Sequence, residues 1–175
     1  MARLLQQFRE ALEILRVCRT PPALIGGLAL VAHQVVRATQ DVDFLVDAED
    51  AEALHAALLE HGYRCIHRSE DAANYARGSE RLGVLLAHRP RARQLLAGAV
   101  MAETAAGRVP VVSVEGLVAL KLQGFVNDPL RTQDLEDIRA LLRRHRSSVD
   151  INELREYFAL FERENLLDEL LEQAG

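Results

Sequence analysis

The fold is decided by two short segments, Gly26-Gly27-Leu28-Ala29 and Arg37-Ala38-Thr39-Gln40-Asp41-Val42-Asp43. Just before the first segment, the apolar run Ala23-Leu24-Ile25 predicts a short buried strand that leads into a Gly-Gly turn. The spacing of apolar residues over 28–36 predicts a helix. The β-branched and aromatic run over 41–46 predicts a second strand. The order is therefore strand, glycine turn, helix, strand.

This order places chemically useful groups close together. A Gly-Gly turn before a helix lets backbone N–H groups approach a phosphate closely at the positive end of the helix. Asp41 and Asp43 are two residues apart on a strand, so both carboxylates project from the same face. Magnesium binds such carboxylates alongside substrate phosphates. Alone, the glycines could form a simple turn and the acids a solvated face. Their combination indicates metal-assisted nucleotidyl transfer.

The two segments resemble the nucleotidyltransferase superfamily, with its polymerase-β-like fold. The closest likeness is to small bacterial toxins of the AbiEii type, which share Gly-Gly-x-Ala followed by Arg-x-Thr/Ser-x-Asp-x-Asp. Downstream, that branch has a lysine-bearing helix and then an Arg…Asp-x-x-Asp helix. The corresponding segments here are 115–121, which ends at Lys121, and 131–138. The resemblance covers roughly residues 22–142.

The resemblance implies roles for the first group of residues. Asp41 and Asp43 would hold the metal ion, Mg²⁺ or Mn²⁺, and would be catalytic. The turn Gly26-Gly27 would hold the triphosphate of a bound nucleotide. Arg37 and Thr39 precede the strand, where they would brace the carboxylates or bind phosphate.

The resemblance also implies roles for the second group. Lys121, the only lysine in the sequence, would bind a phosphate as a compact point charge. Asp134 would pair with Lys121 or orient the acceptor, and both residues would be catalytic. A surface lysine is the alternative for Lys121. For Arg131, Asp134 and Asp137 the alternative is an exposed helical face with pairing between residues three apart.

The sequence departs from the superfamily at the third carboxylate of the metal site. The matching strand is the run 81–86, and Gly83 stands where similar sequences have an acid. Other acids nearby are Glu70, Asp71 and Glu80, of which Glu80 falls on the wrong strand face unless a bulge intervenes. Either another group replaces the acid, or one metal is lost, or the site is degenerate.

The composition is that of a globular protein. Of the 175 residues, 49% are apolar and 27% charged, and the net charge of −5 gives no overall basic character for nucleic-acid binding. Arginine-rich stretches at 77–93 and 139–146 could still receive an RNA or nucleotide phosphate, and the alternative is that they are solvated faces. Two cysteines are too few for a disulfide framework, residues 1–10 lack the apolar core of a signal peptide, and residues 20–36 are a poor membrane span. These features predict a cytoplasmic protein that does not enter a membrane.

The element order predicts an α+β fold, with a mixed sheet flanked by helices and a C-terminal helical part. We expect an α/β core with an N-terminal helix over 1–112, and helices packed on that core over 113–175. A helix is predicted over 91–101, opened by Pro90. Another is predicted to run to about residue 144, with Asp128 as its cap and Pro129 at its first position.

Two functions remain open from the sequence. In the first, the protein binds a nucleoside triphosphate with Mg²⁺ and transfers a nucleotidyl group to an RNA or protein acceptor. In the second, it is a catalytically degenerate binding module, as in a toxin–antitoxin system. Its partner would then be an antitoxin or a second copy of the chain.

Overall fold

The computed structural model describes residues 2–174, which divide into two compact units. Its described residues in the first unit are 2–32 and 37–112. Those in the second unit are 33–36 and 113–174. Each unit is described below by itself.

The first unit is built on one seven-stranded mixed sheet. Across the sheet the strands lie in the order β3-β4-β5-β2-β1-β7-β6. Most neighbours are antiparallel, whereas β2 pairs with β5 and β1 with β7 in parallel. The strands are β1 Ala23–Ile25, β2 Asp41–Asp47, β3 Arg64–Arg68, β4 Ala72–Arg77, β5 Glu80–Ala87, β6 Val100–Thr104 and β7 Gly107–Val111.

Four α-helices accompany this sheet in the described part of the first unit. They are α1 Ala2–Ile14, α2 Gly26–Ala32, α3 Ala51–Glu60 and α4 Pro90–Ala97. The apolar face of α1 packs on the sheet, where the ring centroids of Phe8 and Phe44 lie 6.2 Å apart. Burial of such aromatic rings is among the larger stabilising contributions in a small core.

The central strand β2 separates the core from the functional face. Its alternate residues Val42, Phe44 and Val46 are 0–1% exposed, and they form the core side. Asp41 and Asp43 alternate with them, so both carboxylates project from the opposite face, as predicted.

The described part of the second unit is helical. Its helices are α5 Val114–Asn127, α6 Thr132–His145, α7 Ile151–Leu160 and α8 Glu164–Gln173. Ser113 caps α5, because its side chain accepts a hydrogen bond from the Gly116 N–H at 3.1 Å. The Asp150 carboxylate caps α7 by accepting from the N–H groups of Asn152 and Glu153.

Two helix predictions in the first unit are wrong at their ends. The helix predicted over 91–101 ends at Ala97, and Val100 and Met101 belong to β6 instead. Gly98 follows the helix directly, and β6 then turns back to pair with β7. The helix predicted over 28–36 ends already at Ala32, shortly before Gln34 with a positive φ of 63°.

The helix start predicted at Asp128 and Pro129 is also wrong. Asp128 instead ends α5, and α6 begins at Thr132. The Asp128 carboxylate accepts a hydrogen bond from the Leu130 N–H at 3.1 Å, and its carbonyl accepts one from the Arg131 N–H. The aspartate therefore stabilises the turn between two helices, which is the other common use of this residue type.

The predicted α+β fold class is confirmed. The described helices, all within residues 2–174, include none with the length and apolar character needed to span a membrane.

Candidate functional site

The two predicted carboxylates lie together on β2. Asp41 is exposed at the first position of the strand, and Asp43 is half-buried. Asp43 is directly opposite Ile25 of β1 on one side and Gly83 of β5 on the other. Residues that are directly opposite in a sheet share a face, so its carboxylate lies between β1 and β5.

Gly26 allows the Asp43 carboxylate to approach the turn after β1. A Cβ atom at Gly26 would lie 2.3 Å from Asp43 Oδ2, which is far inside van der Waals contact. Gly26 also has a φ of +66°, a left-handed conformation that favours glycine. Glycine is therefore needed here both for its backbone conformation and for the space it leaves.

Gly27 makes a similar close contact with Thr39. A Cβ atom at Gly27 would lie 2.5 Å from Thr39 Cβ. The Thr39 hydroxyl donates a hydrogen bond to the Asp41 carbonyl at 3.3 Å. The Asp41 N–H in turn donates to the Thr39 hydroxyl oxygen at 3.4 Å. Arg37 is half-buried and donates from Nη1 to the Ala38 carbonyl at 2.7 Å. The glycine turn, Thr39 and the start of β2 thus form one compact cluster.

Gly83 lies directly beside Asp43. The pairing of β2 with β5 runs without interruption from Asp41 and Arg81 to the other end of both strands. A Cβ atom at Gly83 would lie 2.3 Å from Asp43 Oδ1. The position where similar sequences have an acid is therefore in register with Asp43, and Asp43 Oδ1 borders the space that a side chain there would need.

The acids closest in sequence to Gly83 are held by basic side chains. Glu80 pairs with Arg77 at 2.7 Å, and no bulge turns it to the face of Asp43. Asp71 lies 2.7 Å from His88 Nε2 and 3.4 Å from Arg89. His88 Nδ1 is also 3.7 Å from Glu70. Throughout residues 2–174, no three histidine, cysteine, aspartate or glutamate side chains are grouped as ligands of one metal ion.

Asp41 and Asp43 nevertheless fit a magnesium ion. Mg²⁺ in enzymes usually needs one or two carboxylates, because water and substrate phosphates complete its coordination. Gly26 and Gly83 leave the Asp43 carboxylate the space that a Cβ would occupy on either side. The donors are hard oxygens, which suit Mg²⁺ or Mn²⁺ better than zinc.

The predicted pair Lys121 and Asp134 lies within the second unit and is largely buried. Lys121 Nζ is 2.8 Å from Asp134 Oδ1 and 2.7 Å from Asp137 Oδ2, and the three side chains are 16%, 5% and 3% exposed. Arg131 Nε donates to Asp134 Oδ2 at 2.6 Å. The predicted pairing of residues three apart is present, but the alternative of an exposed helical face is wrong for both acids.

This network controls the ionisation of Asp134. Burial by itself raises the pKa of that carboxyl, but hydrogen bonds from Arg131 and Lys121 outweigh burial and hold the pKa below its ordinary value. The carboxylate therefore stays charged at neutral pH. The structure shows the pairing with Lys121, which is one of the two roles expected of Asp134. A contact of Lys121 with phosphate stays a prediction.

Many of the arginines in the two arginine-rich stretches are already paired. In the stretch 77–93, Arg77 contacts Glu80 and Glu10, and Arg93 contacts Glu49. In the stretch 139–146, Arg139 contacts Glu136 at 2.5 Å. These contacts reduce the positive charge that either stretch could offer to an RNA.

Asn74 also lies on the face of Asp41 and Asp43, but it is not among the residues that the sequence predicts. It belongs to β4 and is directly opposite Gly83. Its signal in the sequence is weak: an asparagine in the short run Ala73-Asn74-Tyr75-Ala76, a residue type that is uncommon in strands.

Substitution of Gly83 by alanine should displace the Asp43 carboxylate. The added Cβ would lie 2.3 Å from Asp43 Oδ1, so the carboxylate has to move out of its present orientation. On the prediction that Asp43 holds the metal ion of a bound nucleotide, ATP–Mg²⁺ binding should weaken by about 10–100-fold, as when a metal ligand loses its orientation. The unfolding free energy should change by less than about 1 kcal/mol, because alanine also restricts the unfolded chain. Calorimetric titration and melting measure the two effects, and unchanged ATP binding would contradict the assignment of Asp43.

Comparison with known proteins gives the class of the protein. The sequence matches, over residues 1–174, a family described as "Uncharacterised nucleotidyltransferase". The chain belongs to this nucleotidyltransferase family. A search of curated protein sequences finds no significant match.

Solved structures show the same fold. ANT(2")-Ia in complex with adenylyl-2"-tobramycin has a TM-score of 0.70 and 18% identity, over 90% of this chain and 96% of that one. An antigenic nucleotidyltransferase-like protein from Paracoccidioides brasiliensis has a TM-score of 0.59 and 18% sequence identity, over 97% of this chain and 92% of that one. The lincosamide antibiotic adenylyltransferase LnuA, lincomycin-bound, has a TM-score of 0.58 and 14% sequence identity, over 81% of this chain and 96% of that one.

Proposed function

We propose that this protein binds a nucleoside triphosphate together with Mg²⁺ or Mn²⁺ and transfers its nucleotidyl group to an acceptor. One observation supports this proposal most directly. The Asp43 carboxylate lies between two glycines, Gly26 and Gly83, on the same strand face as Asp41, in a chain of a nucleotidyltransferase family.

Each of the predicted site residues has a proposed part. Asp41 and Asp43 hold the metal ion, which neutralises charge on the triphosphate. Backbone N–H groups of the Gly26-Gly27 turn bind phosphate oxygens, and Thr39 and Arg37 fix the start of β2. An ammonium has three N–H donors, so Lys121 has donor capacity left for a phosphate beside its two carboxylates.

In the proposed reaction, an acceptor oxygen forms a bond to the α-phosphorus while the bond from that phosphorus to pyrophosphate breaks. RNA and protein are the acceptors that the sequence suggested. ANT(2")-Ia and LnuA are named together with tobramycin and lincomycin, so small molecules belong in the same screen.

A catalytically degenerate binding module is the second candidate, and Gly83 favours it. Gly83 leaves β5 without an acid directly opposite Asp43, and no described histidine, cysteine, aspartate or glutamate joins Asp41 and Asp43 in a group of three that could hold one metal ion. Such a module could act in a toxin–antitoxin pair. Closeness to bacterial AbiEii-type toxins, an antitoxin or homodimer partner, a cytoplasmic location and the packing of 113–175 on 1–112 stay predictions from the sequence.

Binding of ATP with Mg²⁺ should raise the melting temperature. A ligand that binds only the folded state stabilises it by about 2.7 kcal/mol at a hundredfold excess over Kd, or about 5–10 °C for a chain of this size. Asp43→Asn should remove the shift, because it removes a charged ligand with almost no change in shape. The four common triphosphates, each with Mg²⁺ or Mn²⁺ and with chelator, are the conditions to compare.

Asp47→Asn is a matched control on the same strand face. Asp47 accepts a hydrogen bond from the Glu49 N–H at 2.9 Å, and asparagine can keep that bond. This variant should show the full ligand-dependent shift. If no triphosphate shifts the melting of the unmodified protein, the proposed function is wrong.

A further inference from the structure

A single row of residues crosses five strands at the level of Asp43. Successive directly opposite partners are Ile25, Asp43, Gly83, Asn74 and His67. Directly opposite residues share a face of the sheet, so Asn74 lies on the face of Asp43 with only a glycine between them. The gap left by the missing side chain at 83 thus has a carboxylate on one side and a carboxamide on the other.

Distances to this gap show that both side chains turn towards it. From the point where a Cβ of Gly83 would stand, Asp43 Oδ1 lies 2.3 Å away and Asn74 Oδ1 3.7 Å away. The two oxygens are therefore within about 6 Å of each other, and metal–oxygen distances are about 2.0–2.6 Å. Asn74 is exposed, so a small rotation of its side chain can bring both oxygens onto one cation.

The acids near Gly83 in the sequence are bonded to basic side chains and do not supply an oxygen to the gap beside Gly83. Glu80 is opposite Arg77 and bonded to it, and Asp71 is bonded to His88. An acid at position 83 itself is excluded while Asp43 keeps its orientation, because its Cβ would overlap Asp43 Oδ1. The neighbouring strand β4 offers the oxygen instead.

We propose that Asn74 Oδ1 is the third protein oxygen ligand of the metal ion held by Asp41 and Asp43. This inference rests on the proposed function and adds a ligand to the same site. A neutral carboxamide in place of a third carboxylate leaves the site with two negative charges, which match one divalent cation. Such a site holds its metal more weakly than three carboxylates would, and depends more on the phosphates of the nucleotide.

The test is Mn²⁺ binding, measured from the electron paramagnetic resonance signal of free Mn²⁺, with and without ATP. Asn74→Ala should raise the Kd for Mn²⁺ about tenfold, as for other losses of ligand support. Asn74→Asp should lower it about tenfold, because it restores a third carboxylate on the other side of the gap. Both variants should melt like the unmodified protein, since the position is exposed. Asn152→Ala, at an exposed asparagine of the second unit, is the control and should bind Mn²⁺ normally.

The outcomes separate this inference from the proposed function. If Asp43→Asn loses Mn²⁺ but both Asn74 variants bind it like the unmodified protein, the Asn74 inference is wrong and the function stands. If the unmodified protein does not bind Mn²⁺ with or without ATP, both are wrong. A melting temperature lowered in Asn74→Ala but not in Asn74→Asp, with equal Mn²⁺ affinity in both, would assign Asn74 a structural role and also overturn the inference.

Discussion

Asp43→Asn is expected to reduce nucleotidyl transfer by at least about a hundredfold. Loss of a residue that only orients a metal ligand costs about 10–100-fold, and Asp43 is the proposed ligand itself. The change keeps the shape of the side chain between Gly26 and Gly83 but removes its negative charge. Charge is what the metal and the triphosphate need at this position, because the transferred phosphoryl group is stabilised mainly by electrostatics.

The measurement uses triphosphates labelled at the α-phosphate, with total RNA, protein extract and a set of small molecules as separate acceptors. Label on an acceptor and release of pyrophosphate should appear together. Asp47→Asn, on the same strand face as Asp43, is the control and should transfer at the normal rate.

Three results of this experiment lead to different conclusions. Transfer that is lost in Asp43→Asn supports the enzyme. Equal transfer by Asp43→Asn and the unmodified protein would contradict the site. No transfer with any acceptor, combined with a shift in melting by ATP–Mg²⁺, would favour the degenerate binding module.

The part of the site that lies close in sequence could be predicted. The strand, the glycine turn and the Asp-x-Asp strand follow from local patterns, and Asp41, Asp43 and Gly26 are within 18 positions of one another. The sequence also identified Gly83 as a departure. Its consequence, a close contact with Asp43, depends on the pairing of β2 with β5, which local patterns do not specify.

The predictions that were wrong or missing concern residues whose sequence signals are ambiguous or depend on strand pairing. Val100 and Met101 continue the apolar pattern of α4, so only their pairing with β7 identifies them as a strand. Asp128 before a proline is equally compatible with a helix cap and with a turn. Asn74 gains meaning only from the register of β4 and β5, which places it opposite Gly83.

In the second unit, too, local sequence patterns do not specify which elements come into contact. Lys121, Asp134 and Asp137 could be read from the sequence as neighbours on adjacent helices or as separate surface residues. Gly124 of α5 decides between them, because a Cβ there would lie 2.7 Å from Asp134 Oδ2. The glycine lets α6 bring its carboxylates close to α5, where Lys121 is held.

Lys121→Met should lower the unfolding free energy by about 3 kcal/mol, the lower end of the cost of removing one partner from a buried ion pair. Methionine keeps most of the side-chain stem but leaves two acids, 5% and 3% exposed, without the ammonium. Denaturant unfolding followed by circular dichroism measures this change. Asp137→Asn in the Lys121→Met background should restore part of the loss, because it removes one of the uncompensated charges.

The effect of Lys121→Met should also depend on pH. The pKa of Asp134 is lowered in the folded state despite burial, so its stabilising contribution is complete above its unfolded pKa of about 3.9 and is lost as pH falls through the folded pKa. Without Lys121, Arg131 alone of the two basic partners still opposes burial, so the pKa of Asp134 rises from its value in the unmodified protein and the contribution shrinks. The stability difference between the two proteins should therefore be largest above pH 4 and narrow as the pH is lowered further. A difference that stays constant from pH 7 to pH 3 would show that Lys121 stabilises the unit through the packing of its stem and not through its charge.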